Sequence, residues 1–386
     1  MMINILKKAA PLLLALIING AGHAYFVITI PVIGREMALS DVNVGLILTI
    51  SALMLIITGP IWGWLCDKIG RKKVLVIGLL CSGIASVAIG MLIGQAELLT
   101  ASFFSVYLLT IRLVQALLSS GLKPATQAVI VDLTEHSTRI SGMGIMGATF
   151  GMGAVTGGLI AMLSGHKYIV TGYVAIGILM LISSLWVALQ LPETRPQVSQ
   201  KQQQWFLSPF IICFSTTLLG IAIYSALQPV TSWKLQDAFL LDLDQAIRFK
   251  GAIMMSSMIA MILAQLSFLK WQTKAKKMRF WGLLITAIAL LVCTFVTQPY
   301  YLLITMIFIG IGFGLFLPSN LALMTISAKQ SQQGKIAGVN TMCQGIGMTF
   351  GPIGGAALYH LQPDMPYYFA VASITLLVLA ILNVKE

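Results

Sequence analysis

The chain has 386 residues, 58% of them hydrophobic and only 9% charged, with a mean hydropathy of +0.92. Soluble domains carry roughly 25% charged residues, so this composition excludes a water-soluble fold and predicts an integral membrane protein. The net charge of +12 does not point to nucleic acid, because the cations are sorted by side of the membrane.

A spanning helix takes about 20 apolar residues. The apolar runs predict twelve, at roughly 9–33, 43–65, 74–95, 102–131, 140–163, 169–191, 207–232, 246–269, 281–297, 301–327, 336–359 and 368–384. With the N-terminus inside, 17 of the 24 cations fall on the inner side. Five fall outside (Arg35, Lys167, Lys234, Arg248 and Lys250), and Arg112 and Lys123 fall within the fourth span. This asymmetry places both termini in the cytoplasm. The spans leave no room for a soluble catalytic domain, and no Walker loop, zinc motif or nucleophile constellation is found. Neither an enzyme nor a metal or other cofactor is expected. Cys66, Cys81, Cys213, Cys293 and Cys343 stand singly, which argues against a disulfide framework. The first apolar run is too long for a signal-peptide core and reads as a span.

On the first helix, Asn19 and His23 are spaced i, i+4 and share a face. Between the second and third helices, residues 59–73 place Gly59, Gly63, Asp67, Lys68, Gly70, Arg71 and Lys72 in a short charged turn. The fourth helix carries Arg112, Gln115, Ser119 and Lys123, a positive and hydrogen-bonding stripe if the helix is continuous, with its two cations roughly 16 Å apart. Intramembrane cations are costly and face a partner or an aqueous cavity, so this face suits a carboxylate. The plainer alternative pairs Arg112 with helix carbonyls or amides. Lys123 has the further option of reaching the interface.

The fifth helix holds Gly147, Gly151, Gly153, Gly157 and Gly158, and the eleventh holds Gly347, Gly351, Pro352, Gly354 and Gly355. Both read as close helix-packing faces. Gly151–Gly157 recurs as Gly345–Gly351, and the same shift of 194 residues maps Lys123-Pro124 onto Leu317-Pro318. A shared offset over two motifs indicates an internal repeat. The polar segment 193–206 reads as a cytoplasmic linker. It divides the chain into an N-terminal six-helix bundle (1–192) and a C-terminal one (207–386). In the latter, Tyr224 and Gln228, Asn320, and Asn340 and Gln344 offer neutral hydrogen-bonding groups, to a substrate or simply between helices. All twelve acidic residues fall outside the middle of a span.

Several of these motifs resemble those of the major facilitator superfamily. The pattern Gly59-x3-Gly63-x3-Asp67-Lys68-x-Gly70-Arg71-Lys72 is similar to its loop 2–3 motif, and Arg112-x-x-Gln115-Ala116 to its fourth-helix motif, with alanine where glycine is usual. Gly151–Gly158 resembles the fifth-helix motif of its drug/proton antiporters, although Gly158 stands where proline is expected. Leu191-Pro-Glu-Thr194 resembles the end of the sixth helix. The C-terminal counterpart of the loop 2–3 motif, Lys270–Lys277, keeps charge but not the acid or the glycines.

The resemblance implies an all-α membrane fold of twelve helices in two pseudo-symmetric six-helix bundles, whose first and fourth helices line a central cavity. It also implies that Asp67, facing the start of the eleventh helix, acts as a conformational latch in alternating access. The expected function is secondary active transport, with proton-coupled efflux of a polar anionic or zwitterionic molecule (organic acid, carboxylate siderophore or drug) first. Import of an anionic nutrient, broad multidrug export and a non-transporting membrane sensor are the alternatives. His23 is the candidate proton-coupling group, with Arg112 at similar depth to oppose its charge. A plain helix contact is the alternative for His23, and Asp41 and Asp132 are further proton carriers. The expected partners are a small-molecule substrate and the lipid bilayer of a bacterial inner membrane, with no nucleic acid, and the chain is expected to be monomeric.

Overall fold

The structure is a computed structural model and describes residues 2–133, 139–193, 210–270, 275–327 and 333–383. Its described residues form thirteen α-helices and no strand. Lipid offers no hydrogen bonds to a backbone, so an apolar chain satisfies its own N–H and C=O groups as helices. The order is α1 (Met2–Glu36), α2 (Asp41–Ile69), α3 (Arg71–Gly94), α4 (Ala101–Ser119), α5 (Leu122–Leu133), α6 (Arg139–Ser164) and α7 (Ile169–Gln190). It continues with α8 (Ile211–Asp237), α9 (Leu243–Lys270), α10 (Ala275–Phe295), α11 (Pro299–Ser327), α12 (Gln333–Leu361) and α13 (Met365–Asn383).

Eleven stretches among the described residues are long and apolar enough to cross a membrane. α12 matches them in length, but Asn340, Gln344 and its many glycines lower its apolar character. Large apolar side chains such as Ile84, Phe103, Ile182, Ile288 and Leu376 are exposed, as expected where lipid is the solvent. This is a multi-pass membrane protein.

The fourth span is interrupted, where the sequence predicts one helix. α4 ends in the run Ser119-Ser120-Gly121, and Pro124 in the first turn of α5 has no N–H to continue the ladder. The break is satisfied locally. Trp62 Nε1 donates to Leu117 O at 2.6 Å, and Thr58 Oγ1 donates to Ser120 Oγ at 2.8 Å.

The helices group into two compact units, residues 1–39 with 50–199 and residues 40–49 with 200–386. In the first, α1 packs on α6 and α3 on α7; in the second, α8 packs on α12 and α10 on α11 and α13. The α1/α6 and α8/α12 pairs are built alike. A Cβ on Gly153 would lie 2.6 Å from Ile17 O, and a Cβ on Gly347 would lie 2.6 Å from Leu218 O. Gly157 and Gly351 press equally closely on Ala21 O and Ala222 O, and Gly355 on Ala226. Pro352 is buried, with its carbonyl 3.2 Å from where a Cβ on Gly45 would sit. Gly158 is buried and Gly151 half-buried. Gly147 and Gly354, in contrast, face open space.

A backbone-to-backbone approach of this kind has no give, so a side chain there must push the helices apart. Gly153→Leu or Gly347→Leu should cost about 1–3 kcal/mol or more and lower the melting temperature of the detergent-solubilised protein by several degrees. Gly147→Leu should leave it unchanged.

Candidate functional site

The buried stripe of α4 is Phe104, Leu108, Arg112 and Ala116, spaced by four. Arg112 therefore occupies a core position in an apolar series. It is 8% exposed, and its guanidinium lies over the Phe26 ring at 4.0 Å from the centroid. Nη1 donates to Gln115 Oε1 at 2.6 Å, while Nε has no partner. Among the described residues no carboxylate meets Arg112. His23, one turn before Phe26 on α1, is near enough for charges on the two side chains to oppose one another. Cation–π contact and one charge-assisted bond leave most of the five guanidinium donors unused.

A neutral polar cluster adjoins Arg112. Thr29 Oγ1 lies 2.7 Å from Tyr173 Oη and donates to Tyr25 O at 2.8 Å. Tyr25 Oη lies 3.0 Å from Ser164 Oγ, and the Tyr25 and Tyr173 rings meet edge to face at 4.9 Å. These contacts fix α1 against α6 and α7, holding Phe26 under the guanidinium. Asn19 and Ser119 are half-buried. Lys123 lies beyond the break and is exposed. The continuous Arg112–Lys123 face predicted from the sequence is thus divided at Ser120–Gly121, and the two cations do not share one helix.

The loop 2–3 residues serve the start of α3. Gly70 has φ +98° and ψ 149°, a region essentially reserved for glycine. The Glu193 carboxylate sits against it, with Oε1 accepting from Lys72 N at 3.3 Å. A carboxylate there is favoured by the unpaired N–H groups and the helix dipole. Arg71 is buried, ion-paired with Asp132 at the end of α5, and donates to Ala128 O at 3.1 Å. Lys68 stacks over Trp64 at 3.9 Å. Positions Gly59 and Gly63 have open space around them. The side chain of Asp67, expected to form the latch, lies outside the described residues, as do residues 194–206 of the expected linker. Gly70→Ala should cost about 1–3 kcal/mol through its positive φ, read as a lower melting temperature that Glu193→Ala does not restore.

In the second unit Asn320 and Asn340 are brought together. Asn320 Nδ2 donates to Cys213 O at 2.7 Å and to Thr217 Oγ1 at 3.0 Å, and Thr217 Oγ1 donates to Asn340 Oδ1 at 2.7 Å. Arg279, fully buried in the first turns of α10, donates through Nη1 to Asn320 Oδ1 and to Cys213 Sγ, each at 3.4 Å. Asn320 and Asn340 are thus committed to a structural network among α8, α10, α11 and α12. Gln344 is half-buried. Tyr224 Oη contacts Met258 Sδ at 3.8 Å with Gln228 one turn further along α8, and Gln228 Oε1 is buried without a partner.

Sequence reasoning missed Phe26, Tyr25, Thr29 and Tyr173, which carry no signal inside apolar runs. It also assigns Lys234 and Lys250 to the outer side and Arg279 to the inner side, whereas all three are at most 3% exposed. The extension of α8 to Asp237 and the start of α10 at Ala275 carry Lys234 and Arg279 into helices, and the start of α9 at Leu243 sets Lys250 deeper than the predicted span 246–269 does.

A multi-pass helical protein built as two like units, each with buried polar groups between its helices, has the form of a membrane transporter. The chain matches the Major Facilitator Superfamily over residues 12–239 and 205–385, and it belongs to that family. Its likeness is to the drug/proton antiporter branch. It is 25% identical over 355 residues to "Multidrug resistance protein 1" of Bacillus subtilis (strain 168), covering 90% of this chain and 88% of that one. It is 24% identical over 366 residues to "Tetracycline resistance protein, class B" of Escherichia coli, covering 89% and 86%. Among solved structures, that of a D-xylose-proton symporter superposes with a TM-score of 0.75 over 97% of both chains at 14% identity, which shows the shared fold. Members of this family are transporters and not enzymes.

Proposed function

We propose that the chain is a proton-coupled exporter of a polar anionic or zwitterionic small molecule, such as an organic acid, a carboxylate siderophore or a drug. The carrying observation is Arg112, buried in a span against Phe26 and Gln115 with donors to spare and, among the described residues, no carboxylate beside it. A buried charge without a counter-ion is costly, and an anionic ligand would offset that cost. Export is favoured over import by the likeness to drug-resistance proteins. Those same relatives favour a second reading, broad drug efflux with the Arg112 face as one of several contacts.

In this account the chain works as a single copy in a bacterial inner membrane, termini in the cytoplasm, by alternating access. Glu193, Gly70, Arg71 and Asp132 form a rigid hub at the start of α3, with Asp67 as the latch. The coupling ion is the proton and no other cofactor is required. His23, within electrostatic reach of Arg112, is the proton-handling group, since an imidazole can take up and release a proton where the neutral amides and hydroxyls around it cannot. Asp41 and Asp132 are the alternatives.

Everted vesicles containing the protein should accumulate norfloxacin when their interior is acidified, and lose that accumulation when nigericin collapses the gradient. Accumulation that ignores the gradient overturns proton coupling. His23→Ala should transport at a rate that no longer depends on the gradient; full gradient dependence in that variant removes His23 from the mechanism.

A further inference from the structure

Lys250 lies on α9, seven residues past Leu243 and inside an apolar span. It is 3% exposed and sits at the centre of a buried face formed by Ala246, Ile247, Ile253, Met254 and Met258. No hydrogen bond or ion pair reaches its ammonium among the described residues. Lys234, equally buried, shows what a structural lysine looks like here: it donates to Cys293 O and Asp364 Oδ1, both at 2.8 Å, and stacks on Tyr367.

The neighbouring helix supplies unpaired atoms at the same depth. α8 runs antiparallel to α9, and the contact between Tyr224 and Met258 sets their register. Stepping eight residues forward on α8 and eight back on α9 moves each by about 12 Å and brings Ser232 level with Lys250, with Gln228 one turn away. Ser232 Oγ and Gln228 Oε1 are both buried and without partners. An ammonium offers three donors and no acceptor, while an amide oxygen only accepts. Unsatisfied groups of both kinds at one depth, within a membrane span, are what a ligand with an anionic oxygen and an adjacent N–H or O–H would complete.

We propose that Lys250 is an anion-recognising residue of the second unit. It takes the carboxylate of a ligand whose hydrogen-bond donor meets Gln228, which points to amino- or hydroxy-carboxylates. The assignment rests on the reading of the chain as an exporter of polar anions, and it adds to Arg112 of the first unit an anion-recognising residue of the second.

Norfloxacin and its methyl ester differ in the carboxylate alone, so the ratio of their export rates from everted or whole-cell preparations isolates that group. Lys250→Met should lower the acid-to-ester ratio about tenfold, the effect of one charge-assisted hydrogen bond, and Lys250→Arg should restore most of it. An unchanged ratio in Lys250→Met, including loss of both substrates together, overturns the assignment while leaving anionic export standing. If the wild-type protein exports neither compound, the export reading fails and the assignment fails with it.

Discussion

Arg112→Met is expected to cut export of anionic substrates at least tenfold while leaving the protein as stable as the wild type or more so. The two halves of this expectation have separate causes. Losing a charge-assisted hydrogen bond to a ligand costs about 1.5–3 kcal/mol, a fall of roughly 10- to 150-fold in transport at limiting substrate. Losing a partly satisfied cation from within a span removes a cost of about 2.5–3.5 kcal/mol on insertion scales. What the protein gives up in return is one bond to Gln115 and one contact with Phe26. Transport assays paired with thermal melting in detergent separate the cases. Were Arg112 only a structural tie between α1 and α4, both transport and melting temperature would drop. Arg112→Lys should recover transport only in part, because an ammonium cannot reproduce the planar stack on Phe26.

The opposite sign is expected at Arg71. Its guanidinium and the Asp132 carboxylate are 7% and 11% exposed, and they tie α3 to α5. Arg71→Ala leaves a buried carboxylate unpaired and should destabilise the first unit by about 3–5 kcal/mol. Removing both charges, in Arg71→Leu/Asp132→Leu, should recover much of that loss, because the desolvation cost of both ions goes with them. Thermal melting of the single and double variants measures the difference. A single variant as stable as the wild type would show that the pair contributes nothing. Glu193, just past α7, lies against Gly70 and accepts from Lys72 N at 3.3 Å, tying the end of α7 to the start of α3. On this account a rigid unit is needed for rocking without internal slippage.

Much of the fold was legible because membrane helices announce themselves by length, and their repeat by glycine. Gly153 and Gly347 sit 194 residues apart, and each lets a carbonyl come within 2.6 Å of where its Cβ would be. The break at Ser120–Gly121 was less visible, since Pro124 in the first turn of a helix and Pro124 within one look identical in a linear pattern. That ambiguity is why Lys123 was joined to the Arg112 face.

The polar interior was legible only in part. Arg112 stood out as a charge amid an apolar run, but nothing in the sequence marks Phe26 as its platform. Lys234 and Arg279 lie within a few residues of the predicted helix ends, where a linear pattern is least exact, and Lys250 falls only four residues inside the predicted span 246–269. Asn320 and Asn340, read from the sequence as hydrogen-bonding groups for a substrate or between helices, are both buried. Their partners, Thr217 and Arg279, give them a packing role that spacing alone does not reveal.

Whether the protein moves anions can be decided with a matched pair of dyes. Carboxyfluorescein and ethidium, opposite in charge and both fluorescent, can be offered to everted vesicles with an imposed pH gradient and with that gradient collapsed. The account predicts gradient-dependent accumulation of carboxyfluorescein that exceeds that of ethidium and disappears in Arg112→Met. Accumulation of ethidium in preference to carboxyfluorescein, retained in Arg112→Met, would contradict it.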